Sequence, residues 1–200
     1  MKKVIFLLLL PLIAEVVVSC CNCVEPVIQR YTNKTISVFN LNNSGAEPQV
    51  TTADTVAKRA FGIRVQLERE KMACLQKSRS LFIQSAYAFG CRCPPPTQYR
   101  PKDSIEAIRI LTLNDFDNTH LAGADVSTYF KVYKPYYFLT IGDYVKNTSP
   151  TLFTDEELKP AIDLLLMAPP AGGAEHRFRV QIRLSDGRIL ESDTSPIKLL

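Results

Sequence analysis

The residues with chemistry to offer are six cysteines, two histidines and a short run rich in aspartate. Cys21/Cys23 and Cys91/Cys93 form two C-x-C pairs, and paired thiolates are ligands for zinc or copper(I). Structural zinc sites favour C-x2-4-C spacing, however, and neither pair has a usable histidine nearby. His120 and His176 are the only imidazoles, so schemes that need several have little to draw on. Asn114-Asp115-Phe116-Asp117-Asn118 has the carboxylate density of a calcium loop. Read as an EF-hand from Asp115, it places His120 where glycine is required and Val126 where the bidentate glutamate should be. Only a weak, looser calcium site from Asp115, Asp117 and Asp125 remains, beside the plainer reading of a polar turn. No nucleophile elbow, HExxH, phosphate loop or paired-carboxylate pattern is present. The expectation is a non-enzymatic protein without a cofactor.

Two further clusters suit recognition rather than catalysis. Arg177, Arg179 and Arg183 recur at period two, with Arg188 after them, and such a stripe either docks anionic groups or forms the wet face of a charged edge hairpin. Tyr129, Phe130, Tyr133, Tyr136, Tyr137, Phe138 and Tyr144 make the densest aromatic patch. Exposed rings there would stack on sugars or anchor a protein partner. Half or more of them belong in a core by alternation. The candidate binding surface is therefore Tyr129, Tyr133, Tyr136 and Tyr137 with Arg177, Arg179 and Arg183.

The N-terminus reads as an address. Met1-Lys2-Lys3 is basic, Val4 to Ala14 is apolar, and Glu15 to Cys20 leads out, the order of a secretory signal. As a membrane span, Val4 to Val18 falls short of the roughly 20 apolar residues required, and Pro11 and Glu15 interrupt it. Val17-Val18-Ser19-Cys20 resembles a bacterial lipobox, which implies cleavage after residue 19 and acylation of Cys20. Several acyl chains suffice for stable anchoring. Cys21, Cys23, Cys74, Cys91 and Cys93 then meet an oxidising compartment, where disulfides are the default. Five cysteines allow at most two bonds, and sequence leaves the connectivity open. Only Glu25 is acidic just after the anchor, so the periplasmic or cell-surface side stays open.

The elements that must position these residues are mostly strands. Apolar residues make up 46% and charged residues 22% of the 200, which excludes a disordered, collagenous or polytopic membrane chain. A net charge of +4 is too mild to argue for nucleic acid. Phe61, Ile63, Val65 and Leu67 alternate with polar partners, the pattern of a half-buried strand. Thr35 to Leu41, Ser80 to Gly90, Ser104 to Leu113, Tyr136 to Ile141 and Ile162 to Met167 are further strands. His176 to Leu184 leads through Asp186-Gly187 into a C-terminal hairpin, and a three-residue Asp186-Gly187-Arg188 loop would pair Leu184 with Leu190 and Arg183 with Glu191. Thr154 and Glu157 make a capping box for one short helical turn near 155–160, which Pro160 ends. The expected fold is all-β, an immunoglobulin-like antiparallel β-sandwich of roughly seven to nine strands over 34–200, after a signal at 1–19 and a lipid-anchored tether at 20–33.

Three stretches carry a family resemblance: Gln84 to Cys91, Tyr99 to Ile105, and Asn114-Asp115-Phe116-Asp117-Asn118-Thr119-His120-Leu121-Ala122-Gly123. Leu164 to Pro170, His176 to Val180 and Leu184 to Gly187 extend it. Together they resemble a family of uncharacterised Bacteroidales lipoproteins of about this length, a domain of unknown function. The resemblance implies an envelope lipoprotein and no assigned activity. The function expected is a non-enzymatic outer-membrane lipoprotein serving as a binding or assembly module of the cell envelope. Its partners would be the membrane, through acylated Cys20, and an envelope protein or glycan. A purely structural envelope lipoprotein without ligand is the alternative, and a glycan-related hydrolase or its accessory comes third.

Overall fold

The computed structural model describes residues 27–72, 97–147, 160–170 and 175–200. All six cysteines lie outside these residues, as do the expected Ser80 to Gly90 strand and nearly all of the helical turn at 155–160. Among the described residues no helix is long and apolar enough to cross a membrane.

The fold is an all-β sandwich. Among the described residues nine strands have four residues or more: β1 (Val27–Asn42), β4 (Phe61–Lys71), β5 (Thr97–Pro101), β6 (Ile105–Thr112), β7 (Phe130–Lys134), β8 (Tyr137–Thr140), β9 (Ala161–Leu166), β11 (Phe178–Leu184) and β12 (Ile189–Asp193). Four shorter ones are β2 (Gln49–Val50), β3 (Thr55–Val56), β10 (Glu175–His176) and β13 (Ile197–Leu199). A seven-stranded sheet runs β2-β1-β4-β9-β7-β8, with β5 beside the first part of β1. A three-stranded sheet, β12-β11-β6, covers it, and β10-β13-β3 forms a third, smaller sheet. Pairing is antiparallel except for β1 with β5 and β13 with β3.

Alternation explains the core. Phe61, Ile63, Val65 and Leu67 of β4 are buried as their spacing predicts, and Phe178, Val180, Ile182 and Leu184 of β11 meet them from the other sheet. Phe178 is the hinge of the packing, stacked on Phe61 at 5.5 Å and edge-on to Phe130 at 5.6 Å. Gly62 allows β4 and β9 to close: a Cβ there would meet Leu165 Cδ2 at 2.6 Å and Leu164 O at 2.9 Å.

Several expectations need correction. β1 begins at Val27, so part of the 20–33 tether is folded, because Val27–Tyr31 pair with β5 and Tyr31–Asn33 with β4. Tyr136 is in a turn rather than in a strand, and Ile141–Asn147 is an α-helix, α1. Thr140 caps its N-terminal end: its Oγ1 accepts from Asp143 N–H at 3.1 Å and donates to the Asp143 carboxylate at 2.6 Å. The C-terminal hairpin has a three-residue loop shifted by one, Ser185-Asp186-Gly187. Ile182 faces Leu190, Arg183 faces Ile189 and Gln181 faces Glu191. Gly187 has φ +87°, and a left-handed residue at the third loop position is what such hairpins require. That requirement outweighs the pairing of Leu184 with Leu190.

Candidate functional site

The β7–β8 hairpin is the candidate surface. Phe130 and Val132 anchor it in the core, while Lys131 between them faces solvent. Lys134 pairs with Tyr137, leaving Pro135 and Tyr136 as a two-residue turn. Tyr136 has φ +78° and is the one non-glycine with positive φ among the described residues. Proline second and a positive φ third are the marks of a type II turn, whose third position suits glycine or asparagine. A tyrosine held there costs roughly 1–2 kcal/mol of backbone strain. Strain of this kind collects at functional positions.

The same turn drives its aromatic rings outward. Tyr136 is fully exposed, and Tyr137 and Phe138 are 55% and 48% exposed. Phe138 leans on Tyr133 at 5.8 Å between centroids, and the Lys134 ammonium sits 5.2 Å from the centre of the Tyr144 ring. Exposed rings on a hairpin offer a large contact area with few rotors to immobilise, the chemistry that recognition surfaces use.

The sequence-selected tyrosines therefore separate. Tyr133, Tyr136 and Tyr137 share the hairpin. Tyr129 is half-buried elsewhere, stacked on Phe116 at 5.3 Å with its hydroxyl 3.5 Å from His120 Nδ1. Phe138 belongs with the hairpin group. Pro135 immediately before Tyr136 is the sequence signal that the chain turns there.

The arginines are not on this surface, and each is ion-paired. Arg179 donates to both carboxylate oxygens of Asp193 at 2.7 and 3.1 Å, and Arg177 reaches the same carboxylate at 3.4 Å. These bonds, the Arg179 contact foremost, hold the Asp193 carboxyl below its ordinary range. Arg183 lies 3.4 Å from Glu106. The stripe is thus the charged face of β11, neutralised across β12 and β6.

The aspartates build loops. Asp117 accepts from the Thr119 and His120 backbone N–H groups, both at 2.8 Å, from the Thr119 hydroxyl at 2.7 Å, and lies 2.9 Å from His120 Nδ1. Those partners, first the Thr119 hydroxyl and then the His120 ring, hold its carboxyl far below the ordinary range. Asp115 accepts from Ala122 N–H at 2.9 Å, and Asp125 caps Ser127 while pairing with Arg109. The three carboxylates are not brought to one point. Among the described residues no three His, Cys, Asp or Glu side chains are placed to hold a metal.

His176 is 1% exposed, in contact with the rings of Phe178 and Phe116. Among the described residues neither ring nitrogen has a hydrogen-bond partner. Burial, and then the nearby Lys58 charge, push its pKa below the ordinary imidazole value.

A junction that spacing does not reveal joins Asn33, Asp103 and Arg188. Lys34 is the extra residue of a β1 bulge, and Asn33 N–H, released there from regular pairing, donates to Asp103 Oδ2 at 3.3 Å. Arg188 donates to the same oxygen at 2.9 Å, to Asn33 O at 3.0 Å and to Thr32 Oγ1 at 2.8 Å. These partners are brought together from three separate parts of the chain.

Comparison with protein families matches residues 33–195 to one described as a domain of unknown function, DUF5034. Neither the curated proteins nor the solved structures contain a match to the chain.

Proposed function

The chain belongs to the DUF5034 family, and from that premise we propose that it is a non-enzymatic lipoprotein of the outer membrane, a binding or assembly module of the cell envelope. Acylated Cys20 would tether it, on the periplasmic or the surface side, and its partner would be an envelope protein or glycan engaged by the β7–β8 hairpin. The finer kinship, with Bacteroidales lipoproteins, is part of the same proposal. The observation that carries the binding role is the exposure of Tyr136, Tyr137 and Phe138 at and just after a turn that holds Tyr136 at φ +78°. A chain selected only for folding gains by placing glycine there and polar residues beside it.

The test is capture of the intact protein from cell envelopes, comparing wild type with a Tyr136→Ser, Tyr137→Ser, Phe138→Ser variant. A co-purifying protein or glycan lost from the variant supports the binding role, and identical co-purification refutes it. Labelling with a palmitate analogue, abolished by Cys20→Ala, tests the tether, and protease treatment of whole cells assigns the side.

A further inference from the structure

The edge of β6 changes partner halfway along. Ile110 turns its N–H to Ser127 Oγ and its carbonyl to Val126 N–H, both at 2.8 Å and both away from β11. Thr112 does the same, donating to Ala124 O at 3.0 Å and accepting from Gly123 N–H at 2.7 Å. The loop before β7 thus serves as a substitute strand for the upper half of the edge. Peptide groups in an antiparallel strand repeat their direction every second residue, so the N–H and carbonyl of Ile108 face the same way. Among the described residues nothing pairs with them.

Beside Ile108, itself 4% exposed, lies a cleft of about 550 Å³ between β6, the start of β7 and α1. Its walls are apolar, from Ile108, Phe130, Ile141 and Val145. Ligand clefts commonly measure roughly 300–1,000 Å³. The rim is basic. Lys131 and Lys146 are exposed and, among the described residues, have no carboxylate partner, whereas Glu106, the acidic residue of the lining, is engaged by Arg183.

An unpaired strand edge supplies backbone hydrogen bonds, the apolar walls take alternate side chains, and the lysines select charge. We propose that this cleft binds an extended acidic peptide segment of a partner protein, which adds as a strand to β6 at Ile108. The inference goes beyond the hairpin reading and stands without it, because Tyr136, Tyr137 and Phe138 do not line the cleft.

The experiment is fluorescence anisotropy on the full chain with labelled octapeptides. One alternates valine and glutamate, a second alternates valine and lysine, and a third is the acidic peptide with alternate backbone nitrogens methylated. The acidic peptide is expected to bind at least tenfold more tightly than either of the others. Lys131→Glu with Lys146→Glu should weaken it at least tenfold, and these exposed positions leave the core intact. Tyr136→Ser should leave it unchanged, separating this site from the hairpin. Absence of binding, or equal binding of the methylated or the lysine peptide, overturns the proposal. So does a concentration-dependent dimer, seen by sedimentation, that the double lysine variant abolishes, since the cleft would then belong to a second copy.

Discussion

Arg188 Nη2 donates to Asp103 Oδ2 at 2.9 Å across 85 positions of sequence, and because that oxygen also accepts from Asn33 N–H, the residue after the hairpin loop of one sheet is tied to the β1 bulge of the other. Asp103 is 1% exposed, with Arg188 and the Asn33 N–H as donors to its Oδ2. A carboxylate out of water is tolerated when such donors compensate its lost hydration. Arg188→Ala strips one of them and leaves the buried charge. Thermal unfolding should show the midpoint lowered by several degrees, with Asp103→Asn recovering part of the loss in the double variant. An unchanged midpoint for Arg188→Ala would mean that water replaces the guanidinium without cost.

Gly62 faces the opposite danger, too much atom rather than too little. Its missing Cβ is where the Leu164 carbonyl would stand 2.9 Å away, and that atom is backbone. Gly62→Ala should destabilise the protein by about 1–3 kcal/mol, the usual range for an overfilled core. Denaturant unfolding measures it, with an exposed Gly45→Ala change as the control that costs far less.

His176 sets a pH dependence. Its folded pKa lies below the unfolded value of about 6.5, because burial and then Lys58 oppose the imidazolium. Below pH 6.5 the unfolded chain binds this proton more readily than the folded one, so stability is full above that pH and declines as pH falls through 6.5 toward the lower folded value. Midpoints measured between pH 7.5 and 5 should fall for the wild type and fall less for His176→Phe, which keeps an aromatic ring among Phe116 and Phe178. Parallel slopes would assign the dependence to other groups.

Tyr136 should separate stability from binding. Tyr136→Gly relieves the left-handed strain and is expected to stabilise by up to about 1 kcal/mol, less the entropy that glycine adds to the unfolded chain. The same change removes the most exposed ring of the hairpin and should lower partner capture. A variant that is less stable yet captures as well would place the tyrosine's role in the fold.

Much of this architecture was legible in local pattern. The alternation in Phe61 to Leu67 and Phe178 to Leu184 marks buried faces, since a strand turns successive side chains to opposite sides whatever its partner. Pro135 before Tyr136 and Thr140 before Asp143 also carry the turn and the α1 cap, signals that a single strand over Tyr136 to Ile141 leaves unused. The hairpin loop lies one residue earlier than the matching of like side chains predicts, because that matching competes with the left-handed demand of Gly187, and backbone geometry wins.

By itself the sequence determined which residues face inward, that the fold is all-β, and that the described chain offers only two imidazoles for chemistry. Tertiary structure decided which arginine meets which acid, where the β6 edge opens, and which tyrosines stand in solvent. Arg64 and Asp163 illustrate the division: both sit on wet faces by alternation, yet their paired bonds of 2.7 Å exist because β4 and β9 are neighbours. Periodicity is a property of one strand and is written in adjacent residues. Adjacency of strands is settled by the joint packing of two sheets around Phe178, which no short stretch of the chain encodes alone.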